Sequence, residues 1–423
     1  MTATTDADLG VLQKRVRTVL ITGQVMAGLG MGATLSMGAI LAGRLSGSEA
    51  WSGMAATMST LGAAIAAVPL AKLAGRSGRR VSLFTGALLA ASGALVTIIS
   101  TMVEFFPLLL LGLALIGVGT AVNLQSRFAA TDIANDTTRS RDLSLVVWAT
   151  TVGAVSGPNL ITPGEAVGSF LGLPELSGPF LFTLVAQLLA ATVYVVGLRP
   201  DPLLLAREIA RDPSSAGAKS LGPQTDNIVM ARTAIISIAL SHATMVAVMA
   251  MTPVHLVHHG ASLAIVGFTI SLHIAGMYAL APVFGMLSDR LGRIPTILVG
   301  QLILLVSLMF TGFGSENETA VVAGLILLGL GWSAATVAGS TLLSESTTIE
   351  KRAARQGVSD LVMSGSGALG GALSGVVLAL VGYNGLSFVA LGLLAGVVAR
   401  IALTRGSAPV GEAPPLEPVT YDI

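Results

Sequence analysis

Apolar runs of about twenty residues, each long enough to cross a hydrocarbon core of about 30 Å as a helix, recur along almost the whole chain. They fall near 18–42, 50–71, 81–102, 105–126, 143–162 and 178–198, then again near 233–254, 263–283, 294–313, 319–341, 357–380 and 383–404. Between the two groups lies a polar stretch, Arg199 to Arg232, punctuated by Pro200, Pro202, Pro213, Ser214, Ser215 and Pro223. The pattern predicts an all-α integral membrane protein with twelve transmembrane helices in two pseudo-symmetric six-helix bundles. It assigns 1–200 to the first bundle, 201–232 to a linker, 233–406 to the second bundle, and 407–423, rich in Pro and Gly, to a disordered tail.

Composition agrees with a bilayer as the main solvent: the chain is 53% hydrophobic and 11% charged, with a mean hydropathy of +0.82. A net charge of +1 offers no field for nucleic acid, and the absence of cysteine excludes disulfides, thiolate metal sites and thiol catalysis. The polar start, Met1 to Arg17, runs into the first apolar helix without a small-residue cleavage site, so no removable signal peptide is expected. Charge placement orients the chain. Every Lys and Arg except Arg44 flanks the termini and the even-numbered loops, whereas Glu49, Glu104, Glu165, Glu175, Glu316 and Glu318 occupy the others. The positive-inside rule then puts both termini and the linker in the cytoplasm.

The halves repeat. Arg76, Gly78 and Arg79 of the second loop recur as Arg290, Gly292 and Arg293 of the eighth; Asp132 and Arg139 recur as Glu345 and Arg352, and Gly157 as Gly370. The run Gly285 to Arg293, G-x-L-x-D-R-x-G-R, resembles the cytoplasmic signature of the major facilitator superfamily. This resemblance extends over the whole six-plus-six layout. It implies two halves that rock about a central site and open alternately to each side, with transport rather than enzymatic activity. Arg79, Asp132, Asp289, Arg293 and Glu345 are then expected to act as gating charges, pairing in one state and separating in the other. The first copy departs from the signature: Gly75 stands where Asp is expected and Ala71 where Gly is, so a latch there must take its acid from elsewhere. Gly153, Gly157 and Pro158 resemble the Gly-Pro motif of drug/proton antiporters, but Asn159 and Leu160 follow where paired glycines belong. Leu113 also occupies the place of those antiporters' buried Arg, and drug efflux loses support.

Ionisable groups inside a membrane are costly and mark function. Arg127, Asp142 and Asp360 sit at the ends of their spans, where structural pairing explains them. All five histidines, His242, His255, His258, His259 and His273, fall on or between the seventh and eighth spans. Met245 and Met249 share one face of the seventh helix, and His273 and Met277 one face of the eighth. Counted from the outer ends, Met245 and His273 both lie roughly 15 Å deep. Thioether and imidazole ligands suit copper, while hard cations want oxygen; methionine is equally an ordinary filler of apolar helices. M-x-x-x-M followed by H-x-x-x-M resembles the signature of CcoA-type copper importers. The resemblance implies copper as the transported ion, bound by Met245, Met249, His273 and Met277, and import across the bacterial inner membrane that supplies assembly of a cbb3-type oxidase.

On that reading His242, His255, His258 and His259 are accessory metal or proton sites, and Met31, Met54 and Met58 form a possible matching face in the first half. Met26 and Met37 read as packing. The expected partners are a copper ion and the bilayer, the expected unit is a monomer, and no cofactor is expected. The rival reading is a proton-coupled transporter or efflux pump for a small organic solute, with His242 or His273 carrying the proton and the methionines forming an adaptable wall. A non-transporting receptor on the same fold is a third class.

Overall fold

The computed structural model describes residues 6–48, 51, 54–156, 160–211 and 225–404, and no strand occurs among them. The tail at 407–423, Glu49, Gly157, Pro158 and Asn159 lie outside the described residues. In chain order the helices are α1 (Asp6–Ser46), α2 (Met54–Met102), α3 (Phe106–Ala129), α4 (Arg139–Ser156), α5 (Ile161–Phe170), α6 (Gly178–Gly197), α7 (Pro202–Arg211) and α8 (Ile228–His258). They continue with α9 (Leu263–Tyr278), α10 (Ala281–Leu291), α11 (Arg293–Phe313), α12 (Glu318–Glu345) and α13 (Ile349–Leu403).

These elements contain the twelve predicted crossings. Helices α2 and α13 carry two crossings each, broken by Gly78 (φ 88, ψ 169) and Gly382 (φ 73, ψ −179). Residues of the fifth crossing fall in α4 and α5, and the eighth is divided between α9 and α10, where Pro282 opens the second piece. Short polar side chains start the later helices: Asn227 accepts from Met230 N at 3.0 Å and Asn317 from Ala320 N at 3.1 Å.

In the first half α1 lies along α6 and α4, and α2 packs on α3 and α6; in the second, α8 lies along α13, while α11 and α9 pack on α12. The halves meet where α2 runs beside α13 and where α10 crosses α4. The polar stretch joining them is not all loop. Pro202–Arg211 forms the amphipathic helix α7, capped by Asp201, whose Oδ1 accepts from Leu203 N at 3.0 Å and Leu204 N at 3.2 Å. Leu203, Ala206 and Ile209, spaced as one helix face, are buried in the first half's core together with Ile349 and Ala353 from the start of α13. In the reverse direction, Phe128 of α3 is buried in a core formed by α8, α11, α12 and α13. Each half thus plants apolar side chains in the other at the face carrying the basic loops.

Candidate functional site

Gly78 and Gly292 hold nearly the same positive-φ conformation (φ 88, ψ 169 and φ 93, ψ 167), which only glycine adopts without strain. Each turns the chain so that the next arginine points into its half. Arg79 Nε donates to Asp132 Oδ2 at 2.7 Å, with both side chains fully buried. Arg293 donates to Glu345 from Nε at 3.0 Å and from Nη2 at 2.7 Å. Residues related by the internal repeat are therefore related in space, and the five predicted gating residues come together at the basic face.

The contacts then cross from half to half. Arg79 Nη2 donates to Gln356 Oε1 at 2.5 Å, and Arg139 Nη1 reaches Glu345 Oε1 at 3.4 Å. Asp289 accepts from the backbone N–H of Ser140 at 3.1 Å and of Arg141 at 3.0 Å. A carboxylate of one half thereby sits at the N-terminus of a helix of the other, where the helix dipole favours negative charge. Burial pushes the Asp289 carboxyl up, against the opposing pull of Arg293 and of those two N–H groups. Burial, and then the Arg139 charge, push Arg352 down to about 10.

The two departures of the first copy have structural counterparts. A side chain on Gly285 would collide with Ser144. At the equivalent crossing Ala71 supplies the side chain and Gly357 gives way, since a Cβ on Gly357 would collide with Ala71. Both crossings hold one small side chain; only the helix that carries it differs. Where Gly75 replaces the acid, Arg207 of α7 donates to Gly75 O and, at 3.2 Å, to Glu350 O, tying the first half to the start of α13.

Above this layer Arg127 Nη2 of α3 donates to Asp360 Oδ1 of α13 at 2.7 Å, with both side chains almost wholly buried. The same Nη2 lies 3.7 Å from the sulfur of Met363. Met363 lines a cavity of about 240 Å³ built from both halves. The first half contributes Ser59 and Thr60 of α2 and Thr120 of α3; the second contributes His242 of α8, Met277 and Tyr278 of α9, Trp332 of α12 and Ser364 of α13. Trp332 Nε1–H donates to His242 Nδ1 at 3.0 Å, which holds both rings in place and leaves the neutral imidazole's proton on Nε2.

Met245 and Met277, two of the predicted copper residues, are buried in the same apolar cluster. Met277 also lines the cavity. The cluster includes Val248, Leu256 and Leu328, and Met249 packs against it from its edge. The ring of His273 is turned to α12, with Nδ1 2.8 Å from Leu325 O and Nε2 buried without a hydrogen-bond partner. α8 and α9 each pack more extensively on α12 than on one another. Met26 and Met37 pack in apolar clusters as expected, and Met58 does so as well. The side chain of Met31 lies outside the described residues.

At the opposite mouth His255, His258 and His259 border a second cavity of about 490 Å³ with Glu316 and Tyr383. His255 stacks on Tyr383 with ring centroids 4.2 Å apart, and its Nε2 is 2.8 Å from Ser315 O. Burial pushes its pKa down. His259 Nε2 lies 3.4 Å from Glu316. Among the described residues no group of three or more His, Asp or Glu side chains is arranged to hold a metal ion.

Sequence reasoning missed Gln356, Arg207 and Trp332; it expected structural pairing of Arg127 and Asp360 without naming each as the other's partner. Two signals were available: the apolar spacing of Leu203, Ala206 and Ile209, and a tryptophan in mid-span in a chain that has only three.

Two bundles around one cavity, joined by ion pairs at one face, have the architecture of an alternating-access carrier. The family model described as Major Facilitator Superfamily matches residues 20–255 and 233–420. The chain belongs to the Major Facilitator Superfamily, and its business is transport rather than catalysis. It is 37% identical over 93% of its length to the uncharacterized MFS-type transporter YdeG of Bacillus subtilis, covering 91% of that protein. It is 38% identical over 89% of its length to the uncharacterized MFS-type transporter YddS of the same organism, covering 87%. The riboflavin transporter RfnT of Brucella anthropi is 26% identical over 87% of this chain and 90% of its own. Among solved structures, a double-Trp mutant of XylE superposes with a TM-score of 0.72 at 14% identity, covering 93% of this chain and 95% of that one. The human organic anion transporter MFSD10 superposes with a TM-score of 0.69, also at 14% identity, covering 92% and 99%. At these identities the structural likeness speaks for the fold alone.

Proposed function

We propose that this protein is a secondary transporter of a small organic solute, working by alternating access in a bacterial inner membrane with both termini in the cytoplasm. The observation that carries the reading is the central cavity: both halves line it, and the ion pairs and hydrogen bonds just described shut it off from the basic face. With the basic face inside, the side closed in this arrangement is the cytoplasmic one. The solute enters between α2 and α3 on one side and α8, α9 and α12 on the other. Rocking then parts Arg79 from Gln356, Arg139 from Glu345 and Asp289 from the start of α4. The relative named as a riboflavin transporter supports an organic solute of this kind.

Copper import is the weaker reading. Of Met245, Met249, His273 and Met277 only Met277 lines the cavity, and the other three are held by apolar packing or by the backbone of α12. The test is uptake by the purified chain in proteoliposomes, with a panel of organic solutes and, separately, with copper. Organic solute uptake that Trp332→Ala abolishes and copper chelation leaves intact supports the proposal. Copper uptake lost on Met245→Ala or His273→Ala, with no organic solute moved, overturns it.

A further inference from the structure

Three rings from three helices form one wall of the central cavity. Trp332 of α12 stands edge-on to Tyr278 of α9 (centroids 5.8 Å apart, planes at 85°) and tilted against His242 of α8 (6.0 Å, 48°). The Trp332–His242 hydrogen bond locks two of them. Thioethers flank this wall, from Met277 of α9 and Met363 of α13; such polarizable sulfur favours contact with aromatic rings. The first half faces it with hydroxyls. Thr60 returns its own to Ala56 O at 2.9 Å, whereas Ser59, and Ser364 on α13, have no hydrogen-bond partner among the described residues.

The lining contains no Asp, Glu, Lys, Arg, Asn or Gln among the described residues. Arg127, which touches the lining through Met363, is paired with Asp360 at 2.7 Å. This combination selects a chemistry. A polyol presents many hydroxyls, and each one buried without a partner costs affinity; among the described residues the lining has no amide or carboxylate side chain to pair with them in twos. A carboxylate solute would need a cation not already committed to a carboxylate. An uncharged flat ring system needs only stacking area on its faces and a few donors or acceptors at its edge.

Resting on the organic-solute reading above, we infer that the transported solute is an uncharged planar heteroaromatic compound, stacked within the wall of Trp332, Tyr278 and His242 and held at its edge by the hydroxyls of Ser59 and Ser364. The test is equilibrium dialysis of the full chain in nanodiscs against four probes: adenine and lumichrome as neutral planar heteroaromatics of two sizes, xylose as a polyol, and benzoate as an organic anion. Saturable binding of at least one heteroaromatic, with xylose and benzoate absent, is expected. Tyr278→Ala and Trp332→Ala should weaken it about tenfold or more, and Trp332→Phe, which keeps a ring in place and guards against misfolding of the alanine variant, less than about threefold. Binding of xylose or benzoate in preference to both heteroaromatics, or binding of none of the four, overturns the inference while leaving transport of some other organic solute standing. Copper uptake by the same preparation, with no organic solute moved, is the separate result that removes the reading beneath it.

Discussion

Arg127 of α3 and Asp360 of α13 meet at 2.7 Å across the two halves, with 3% and 1% of their side chains exposed. Their environment decides what each substitution does. A buried pair adds little net stability, because both charges were taken out of water, but removing one partner strands the other at a cost of about 3–5 kcal/mol. Arg127→Met and Asp360→Leu should each lower the thermal unfolding temperature in detergent, and the double variant should recover most of the loss. If the double variant is as unstable as either single one, the two residues do not act as a pair.

Arg207 replaces an acid missing from the sequence signature, and its two carbonyl acceptors lie on opposite sides of the α2–α13 crossing. Arg207→Ala should loosen the basic face without disturbing the cavity lining. Ser344 of α12 is buried at the basic face, accepting from Thr131 of the first half and from Gln356, each at 3.2 Å; the chain has no native cysteine, so Ser344→Cys reports opening by its rate of alkylation. That rate should rise about tenfold, which corresponds to about 1.4 kcal/mol. An unchanged rate removes α7 from the gate.

Ala71 and Gly357 share the space of one small side chain. Gly357→Ala should hinder closure of the α2–α13 crossing, and Ala71→Gly should restore it. A double-mutant cycle on transport rate should give a coupling of about 1 kcal/mol or more, the size expected for residues in contact. Additive effects mean that the crossing tolerates both side chains.

His242 and Trp332 line the cavity, whereas Met249 lies at the edge of an apolar cluster. His242→Ala should reduce uptake of the organic solute about tenfold, and Met249→Leu should change it less than about twofold, since swaps of similar volume in apolar packing are tolerated. Initial rates in proteoliposomes at matched protein density make the comparison. The reverse order of effects points to the methionine face.

Asp226, just before α8, accepts from Lys351 at 2.8 Å, Arg355 at 2.9 Å and Thr348 N at 2.9 Å. Burial pushes its carboxyl up, but the bonds from Lys351 and Thr348 and the Arg355 charge outweigh burial and hold it at about 2. A folded-state value below the ordinary carboxylate range of about 3.9 means stability that is present above that range and lost as pH falls toward 2. Between pH 5 and pH 3 the unfolding temperature of the native chain should fall more steeply than that of Asp226→Asn; parallel slopes remove Asp226 as a contributor.

Local composition carried most of the architecture. Span length and apolarity follow from the thickness of a bilayer, and the recurrence of Gly78–Arg79 as Gly292–Arg293 announced two equivalent turns, because a positive φ and a buried arginine are demands a sequence displays openly. Asp132 and Glu345 were likewise legible as partners through the same repeat. Pairing across helices was not. Helical spacing tells which residues share a face of one helix but leaves open which neighbour that face meets, so nothing in the sequence aimed the His273 ring at Leu325 O of α12. Ala71 looked like a defect until Gly357 came beside it. Arg127 and Asp360 were each legible as a charge in need of a partner, but only packing made them partners of one another, 2.7 Å apart. Periodicity is a property of one segment; a cavity, a latch or an ion pair between halves exists only once distant segments are packed, and packing depends on shape along every surface at once.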